Sequence, residues 1–367
     1  MNRLIHYILH PLLLLPVVAV AQEPVACDTT LVMGNPAVKP VIVEYVNHIS
    51  ADAPFKSTQN GIIVIGSGRQ VRAVGAVSLG NSACHAYAEM ANRYKRTFGN
   101  KVNVYCTAIP TACEFYTPDK ANRLIRSQRP VMQSMFNHLS DSVYAVDIYT
   151  PLASHVSEDI YLRTDHHWAP RGAYYAARAF AEVAGVPFRD LDSYDQHVIH
   201  RYVGTMSTYS KDPAVRQAPE DFVYWTPRDL HYETTYITYT LDSSHKKIVG
   251  TSKPTRGNYF QSYKDGSSAA YCTFMGGDSK ITQVRTDTHN HRRVLILKDS
   301  FGNAIPGYLF FSFEEIHVID CRFFNRNIRK YVEENSITDI LFANNVSHAS
   351  LSTVVNAYGR FLNQSTE

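Results

Sequence analysis

The segment Tyr161-Leu-Arg-Thr-Asp-His-His-Trp168 sets a carboxylate and an imidazole two positions apart just before a helix start. Far downstream, Val294-Leu-Ile-Leu-Lys-Asp-Ser300-Phe-Gly-Asn303 presents a serine where an apolar run breaks. A serine hydroxyl attacks an ester only when a neighbouring base takes its proton, and the base needs a group to fix its tautomer and stabilise its cation. Ser300 as nucleophile, His167 as base and Asp165 as orienting acid would supply the chemistry of a hydrolase or acyl transferase. In an extended segment residues i and i+2 project to one side, so Asp165 and His167 are expected to face one crevice while His166 points away. The backbone N–H groups flanking Ser300, beside Phe301-Gly302, would aim at a developing oxyanion.

Other readings use the same residues. Asp299 or Ser300 could be the N-cap of a helix. Asp165, His166 and His167 are all zinc-ligand types, but adjacent histidines diverge in an extended segment and no His-Glu-x-x-His helix accompanies them, so no metal is assigned. Two stretches imitate the site, Gly276-Gly-Asp-Ser279 and Asp287-Thr-His289. Ser279 leads into Lys280 and a polar stretch, and Asp287 sits in a His- and Arg-rich connector with no helical pattern after it. Both rank below Ser300 and the Asp165–His167 pair.

The elements that must position these groups follow from periodicity. Pro40–Val46, Gly61–Ile65, Val102–Ile109, Ser142–Ile148, Arg293–Leu297, Phe313–Asp320 and Thr338–Ala343 read as strands, being β-branched or apolar runs bounded by turn formers. Asn81–Phe98, Pro118–Leu139, Pro170–Ala184 and Ile328–Asn335 carry helical spacing, and the third stops at Gly185 and Pro187. From 188 to 290 short alternating stretches such as Tyr232–Thr240 replace that rhythm and predict a β-rich insertion, whose tyrosines are expected to pack in half-buried strands before they stack on sugars. Strands alternating with helices on both sides of it predict an α/β fold with a mostly parallel sheet, whose active crevice opens at the strands' carboxyl edge. Ser300, Asn344 and Asn345 all fall at that edge. The expected organisation is a signal peptide over 1–21, an α/β domain in two parts over 22–187 and 291–367, and the insertion over 188–290.

At 367 residues the chain suffices for one enzyme-sized α/β unit, and a formal charge of only +3 with no Lys/Arg block argues against a nucleic-acid partner. Arg3, an apolar run from Leu12 to Val20 and Ala19-Val-Ala21 before Gln22 compose a cleavable secretory signal. The run is short of the roughly 20 residues of a spanning helix and is interrupted by Pro16. The expected location is periplasmic or secreted. A lipid anchor on Cys27 is the lesser alternative, because Pro24-Val-Ala precedes it where a lipoprotein signal has leucine. Six cysteines in an oxidising compartment permit disulfides; Cys106 and Cys113, bracketing a strand end and Pro110, are the favoured pair, against the alternative of buried free thiols.

Thr164-Asp-His-His-Trp168 with Pro170 and Gly172, and Lys298-Asp-Ser-Phe-Gly-Asn303 with Pro306, resemble the DHHW protein family and, more distantly, the alginate acetylation proteins of the SGNH-hydrolase-like superfamily. The order of motifs is similar from about Asn60 to Asn345. The resemblance implies a flavodoxin-like three-layer α/β/α core and carbohydrate O-acetyl chemistry. It also implies a Ser-His-Asp site in which acid and base precede the serine and are separated by one residue, which selects His167 over His166. Lys298 departs from the Gly of hydrolases with a Gly-Asp-Ser block, and the usual Asn and Gly oxyanion blocks have no match. Asn303, Asn344 and Asn345 are therefore candidate oxyanion donors, with Trp168 a candidate substrate-binding residue.

The resulting expectation is an O-acetyltransferase or acetylesterase that forms an acetyl-Ser300 intermediate on a carbohydrate substrate, without a cofactor. A membrane-bound acyltransferase as acetyl donor is suggested by the alginate resemblance alone. The alternative is a non-catalytic glycan-binding or polysaccharide-assembly protein on the same fold.

Overall fold

The computed structural model describes residues 31–365 apart from residues 48, 59, 245 and 246. The signal segment and Cys27 lie outside the described residues. Five strands form a parallel core in the spatial order Glu315–Asp320, Arg293–Lys298, Asp339–Asn345, Asn103–Ile109 and Tyr144–Ala145. Arg293–Lys298 and Asp339–Asn345 are almost wholly buried. Burial on both faces explains why such strands read as continuous apolar runs instead of alternating ones.

Side-chain alternation assigns the helices to the faces. On Asp339–Asn345, Phe342 meets Tyr87 and Tyr94 of the His85–Phe98 helix and Tyr358 of the Ser352–Asn363 helix edge-on, with centroids 5.0 to 5.7 Å away. On the opposite face Tyr105 packs against Phe180 of the Pro170–Ala184 helix at 5.1 Å. The result is the three-layer α/β/α arrangement expected from sequence. Phe342 is completely buried, and such a side chain contributes roughly 2–3 kcal/mol.

The stretch from 188 to 290 is β-rich, and part of it extends the same sheet. Lys280–Thr286 pairs antiparallel with Glu315–Asp320, Tyr232–Leu241 pairs with Lys280–Thr286, and the short strands Ile248–Thr251 and Thr255–Gly257 flank Tyr232–Leu241. Tyr194–Tyr202 and Glu220–Pro227 form a separate antiparallel pair. Within Tyr232–Leu241, Tyr236 and Tyr239 are buried, which fits the packing role of its tyrosines.

Several sequence readings are corrected. Pro40–Val46 forms no strand; its Ile42 N–H donates to the Gln133 side chain, so a helix residue replaces the missing ladder. The continuous Pro118–Leu139 helix is instead a 3₁₀ turn, Asp119–Leu124, and a helix, Arg129–Asn137. Pro130 lies in the first turn of the latter, the position where its missing N–H does least harm. Of Ser142–Ile148 only Tyr144–Ala145 pairs. Cys106 and Cys113 are free thiols, as are Cys84, Cys272 and Cys321. Cys106 is buried within a strand, while the Cys113 sulfur sits 3.2 Å from Gln128 Nε2. The Ser352–Asn363 helix, absent from the sequence reading, buries Val354, Ala357, Tyr358, Phe361 and Leu362 at helical spacing.

Candidate active site

Four of the five parallel strands, Glu315–Asp320, Arg293–Lys298, Asp339–Asn345 and Asn103–Ile109, deliver chain segments to a common edge. There a cleft of about 440 Å³ is lined by Thr111, Asp165, His166, Ser300, Arg322, Asn345 and His348 among others. A second cleft of about 490 Å³, lined by Glu158, Arg171, Glu220 and Trp225, does not reach Ser300.

Ser300 opens the 3₁₀ turn Ser300–Ala304 directly after Arg293–Lys298. Asp299 caps that turn: its Oδ1 accepts from Phe301 N at 2.9 Å. Of the two capping possibilities the acid is therefore the N-cap, which leaves the serine hydroxyl for the cleft. Gly302 is required because a Cβ there would collide with Lys298 Cβ. Trp168 Nε1 and Tyr271 OH both donate to the Phe301 carbonyl, at 2.8 and 3.1 Å, and so fix the turn from the side of the Asp165 loop. Trp168 is fully buried, so it supports the turn and presents no surface to a ligand.

Ser300 Oγ lies 2.9 Å from His167 Nε2, and His167 Nδ1 lies 2.6 Å from Asp165 Oδ1. Residues distant in sequence thus form one hydrogen-bonded chain from hydroxyl to imidazole to carboxylate. The local cause differs from the extended pleat expected. The backbone N–H of His167 donates to Asp165 Oδ1 at 3.0 Å, an Asx turn that folds the ring back over its own carboxylate. In consequence His166 does not point away: its ring lies 3.7 Å from that of His167, it lines the cleft, and its Nδ1 pairs with Thr205 Oγ1 at 2.6 Å.

Sequence reasoning missed the support of Asp165. Its Oδ2 accepts from Tyr202 OH at 2.8 Å, Thr205 N at 2.9 Å and Thr205 Oγ1 at 3.1 Å. Burial pushes the Asp165 carboxyl up, but the hydrogen bond and charge of His167 outweigh it and hold the group well below the usual carboxylate range. Burial, assisted by His167, lowers His166 to about 4, so this ring is neutral near neutral pH. Tyr271 stacks flat on His167 with centroids 3.8 Å apart and planes inclined by 4°. Behind the loop Glu220 accepts from the backbone N–H groups of Arg163 and Thr164, at 2.8 and 2.7 Å. These partners come from the β-rich stretch, where aromatic content hides individual roles.

Gly204 makes the close approach possible, since a Cβ there would overlap Asp165 Cβ and Oδ2. Gly204→Ala is expected to cost about 1–3 kcal/mol through overpacking against the Asp165 carboxylate. Thermal melts measure the cost; an unchanged melting temperature would show that Asp165 tolerates displacement.

The three candidate asparagines are otherwise engaged. Asn303 Nδ2 donates to Asp278 at 2.8 Å, and Asn345 Nδ2 donates to Asp299 at 2.9 Å. Asn344 is buried, its Oδ1 accepting from Tyr87 and Tyr358. The backbone N–H of Ser300 has no acceptor among the described residues. Lys298, where a glycine was noted as missing, is buried with its Nζ 3.0 Å from both Asp278 and Asp320. That pairing occupies the acid of Gly276-Gly-Asp-Ser279. Asp287 and His289 are exposed in the connector before Arg293–Lys298, at the opposite end of that strand from Ser300.

Asp165, His166 and His167 bring ligand-type atoms within 4.8 Å of one another. The direct 2.6 Å contact between His167 Nδ1 and Asp165 Oδ1 leaves no room for a zinc ion, which holds each ligand at about 2.0–2.2 Å, between those two atoms.

A mostly parallel sheet with helices on both faces thus carries this hydrogen-bonded chain at its carboxyl edge, in a three-layer α/β/α architecture. The chain belongs to the DHHW family: the family's model, described as DHHW protein, matches residues 48–319. A DHHW family protein from Eubacterium siraeum is 34% identical, with a TM-score of 0.73 over 89% of this chain and 100% of that one. PatB1 from Bacillus cereus shares the fold at 17% identity, with a TM-score of 0.61 over 83% of this chain and 99% of that one. PatB1 has also been solved with a sulfonyl adduct, in a structure that matches at 16% identity and the same TM-score over 82% of this chain and 98% of that one. No curated protein matches the chain.

Proposed function

We propose that this protein is an exported serine acyl-ester enzyme, an O-acetyltransferase or acetylesterase acting on a carbohydrate, with Ser300 as nucleophile, His167 as base and Asp165 as orienting acid. The observation that carries the reading is the unbroken contact from Ser300 Oγ through His167 to Asp165. As Oγ attacks the acyl carbonyl, His167 Nε2 takes its proton, and Asp165, kept ionised, stabilises the cation that forms on the ring. Collapse of the tetrahedral intermediate expels the alkoxide, which takes that proton and leaves acetyl-Ser300. Water or a sugar hydroxyl then yields a proton to His167 and attacks the acetyl carbon, and Ser300 departs with the proton.

No step needs a cofactor. The free N–H of Ser300 is the candidate oxyanion donor in place of the asparagine amides, which are already engaged. The carbohydrate and acetyl assignments rest on the family resemblance, as does a membrane-bound acyltransferase as donor. Export to the periplasm or beyond rests on the Arg3–Ala21 segment; no helix among the described residues is long and apolar enough to cross a membrane.

The reading is tested by exposing the protein to a sulfonyl fluoride and, separately, to p-nitrophenyl acetate, followed by peptide mass spectrometry. The sulfonyl probe follows from the adduct held by PatB1. Expected is a sulfonyl or acetyl group on the peptide bearing Ser300. A peptide that stays unmodified under both reagents would favour the glycan-binding alternative.

A further inference from the structure

Two basic side chains outside the Asp165–His167–Ser300 chain open onto the same cleft, and each is tethered by one edge only. His348 Nδ1 lies 2.9 Å from Asp299 Oδ2, while its Nε2 has no partner among the described residues. Arg322 spends Nε and Nη2 on Asp320, at 2.8 and 2.7 Å, and Nη2 also on Asp278 at 2.8 Å, leaving Nη1 without an acceptor among the described residues. Both side chains remain partly exposed, 36% for His348 and 41% for Arg322.

The carboxylates that hold them, Asp299 and Asp320, are wholly buried. The hydrogen bond that Asp299 accepts raises the His348 pKa from its ordinary value, against the opposing effects of burial and of the Arg322 charge. Two basic side chains lining one cleft, with their outer nitrogens unpaired among the described residues and their inner edges locked on carboxylates, form a preorganised cradle for negative oxygen.

We infer that His348 Nε2 and Arg322 Nη1 bind an acidic group, a carboxylate or a phosphate, carried by the substrate that reaches Ser300. The inference rests on the proposed function for its placing beside the reacting ester, and it deepens that reading by naming the charge of the substrate. A neutral sugar would leave both donors to water. An acidic one would gain two charge-assisted hydrogen bonds and be held in register with the serine.

The test uses binding, so it does not depend on turnover. The full-length Ser300→Ala protein is titrated with glucuronate, glucose 6-phosphate and glucose by isothermal titration calorimetry, and where His348 is retained its imidazole ¹⁵N signals are followed by NMR. Expected is saturable binding of one or both acidic sugars, which tells a carboxylate site from a phosphate site, with glucose far weaker. Binding should weaken about tenfold in His348→Gln, the loss of roughly one charge-assisted hydrogen bond. Arg322→Lys, which keeps the charge but not the fork, should weaken it as well. Equal affinity for all three sugars, no binding of any, or binding indifferent to both substitutions would overturn the inference. None of those results touches acylation of Ser300, which is read separately.

Discussion

Ser300→Ala should reduce hydrolysis of p-nitrophenyl acetate roughly 10⁴- to 10⁶-fold while leaving the folded protein intact. The size of the effect follows from the roles of the parts. Without Oγ there is no atom to carry the acyl group, and His167 has no hydroxyl to deprotonate. Stability should change by no more than about 1 kcal/mol, because the hydroxyl's contact with His167 is a single, partly exposed hydrogen bond. Stopped-flow or steady-state assays beside thermal melts check both halves. Retention of more than about a tenth of the wild-type rate would show that another group, or water attacking directly, does the chemistry.

Asp165→Asn is expected to lose about 10³- to 10⁴-fold in kcat with little change in KM. The substitution conserves shape, so its cost is one of hydrogen-bond polarity. Oδ1 accepts from His167 at both Nδ1 and the backbone N, and Oδ2 accepts from Tyr202 and Thr205. An amide nitrogen placed at the first position drives the imidazole proton to Nε2, where it blocks proton transfer from Ser300. Placed at the second, it confronts three donors with a fourth. Either way a buried donor is stranded, so stability should fall by about 1–3 kcal/mol as well. A pH–rate profile and a melt on the same preparation distinguish a poisoned tautomer from simple unfolding. An Asp165→Asn protein with wild-type kcat would remove the acid from the mechanism.

The central sheet and the helices that pack on it were readable from sequence because buried parallel strands and amphipathic helices leave strong, local patterns. Arg293–Lys298, Asp339–Asn345 and Pro170–Ala184 agree with expectation to within two residues at each end. The failures have physical causes. Pro40–Val46 has strand composition, yet its pairing partner turns out to be a glutamine side chain, which no periodicity encodes. Apolar spacing alone runs on through Pro118–Leu139, whereas in the fold Pro130 marks the start of a new helix. At the site, Asp165, His167 and Ser300 stood out through residue type and position. Tyr202, Gly204, Thr205 and Tyr271 did not, since each acts through a contact whose sequence separation is arbitrary. His348 was within reach: it follows Asn345 by three positions at the carboxyl end of a core strand, the same edge argument that located Ser300.

The flat stack of Tyr271 on His167, with Tyr202 and Thr205 gripping Asp165, bears on how this protein could be trimmed. Excising residues 188–290 to obtain a minimal catalytic body would spare all three reacting groups and yet strip the imidazole of its backing plate and the carboxylate of its grip. Modular shortening of this protein should therefore stop at the connection between Tyr232–Leu241 and Ile248–Thr251, and leave the strands on either side in place.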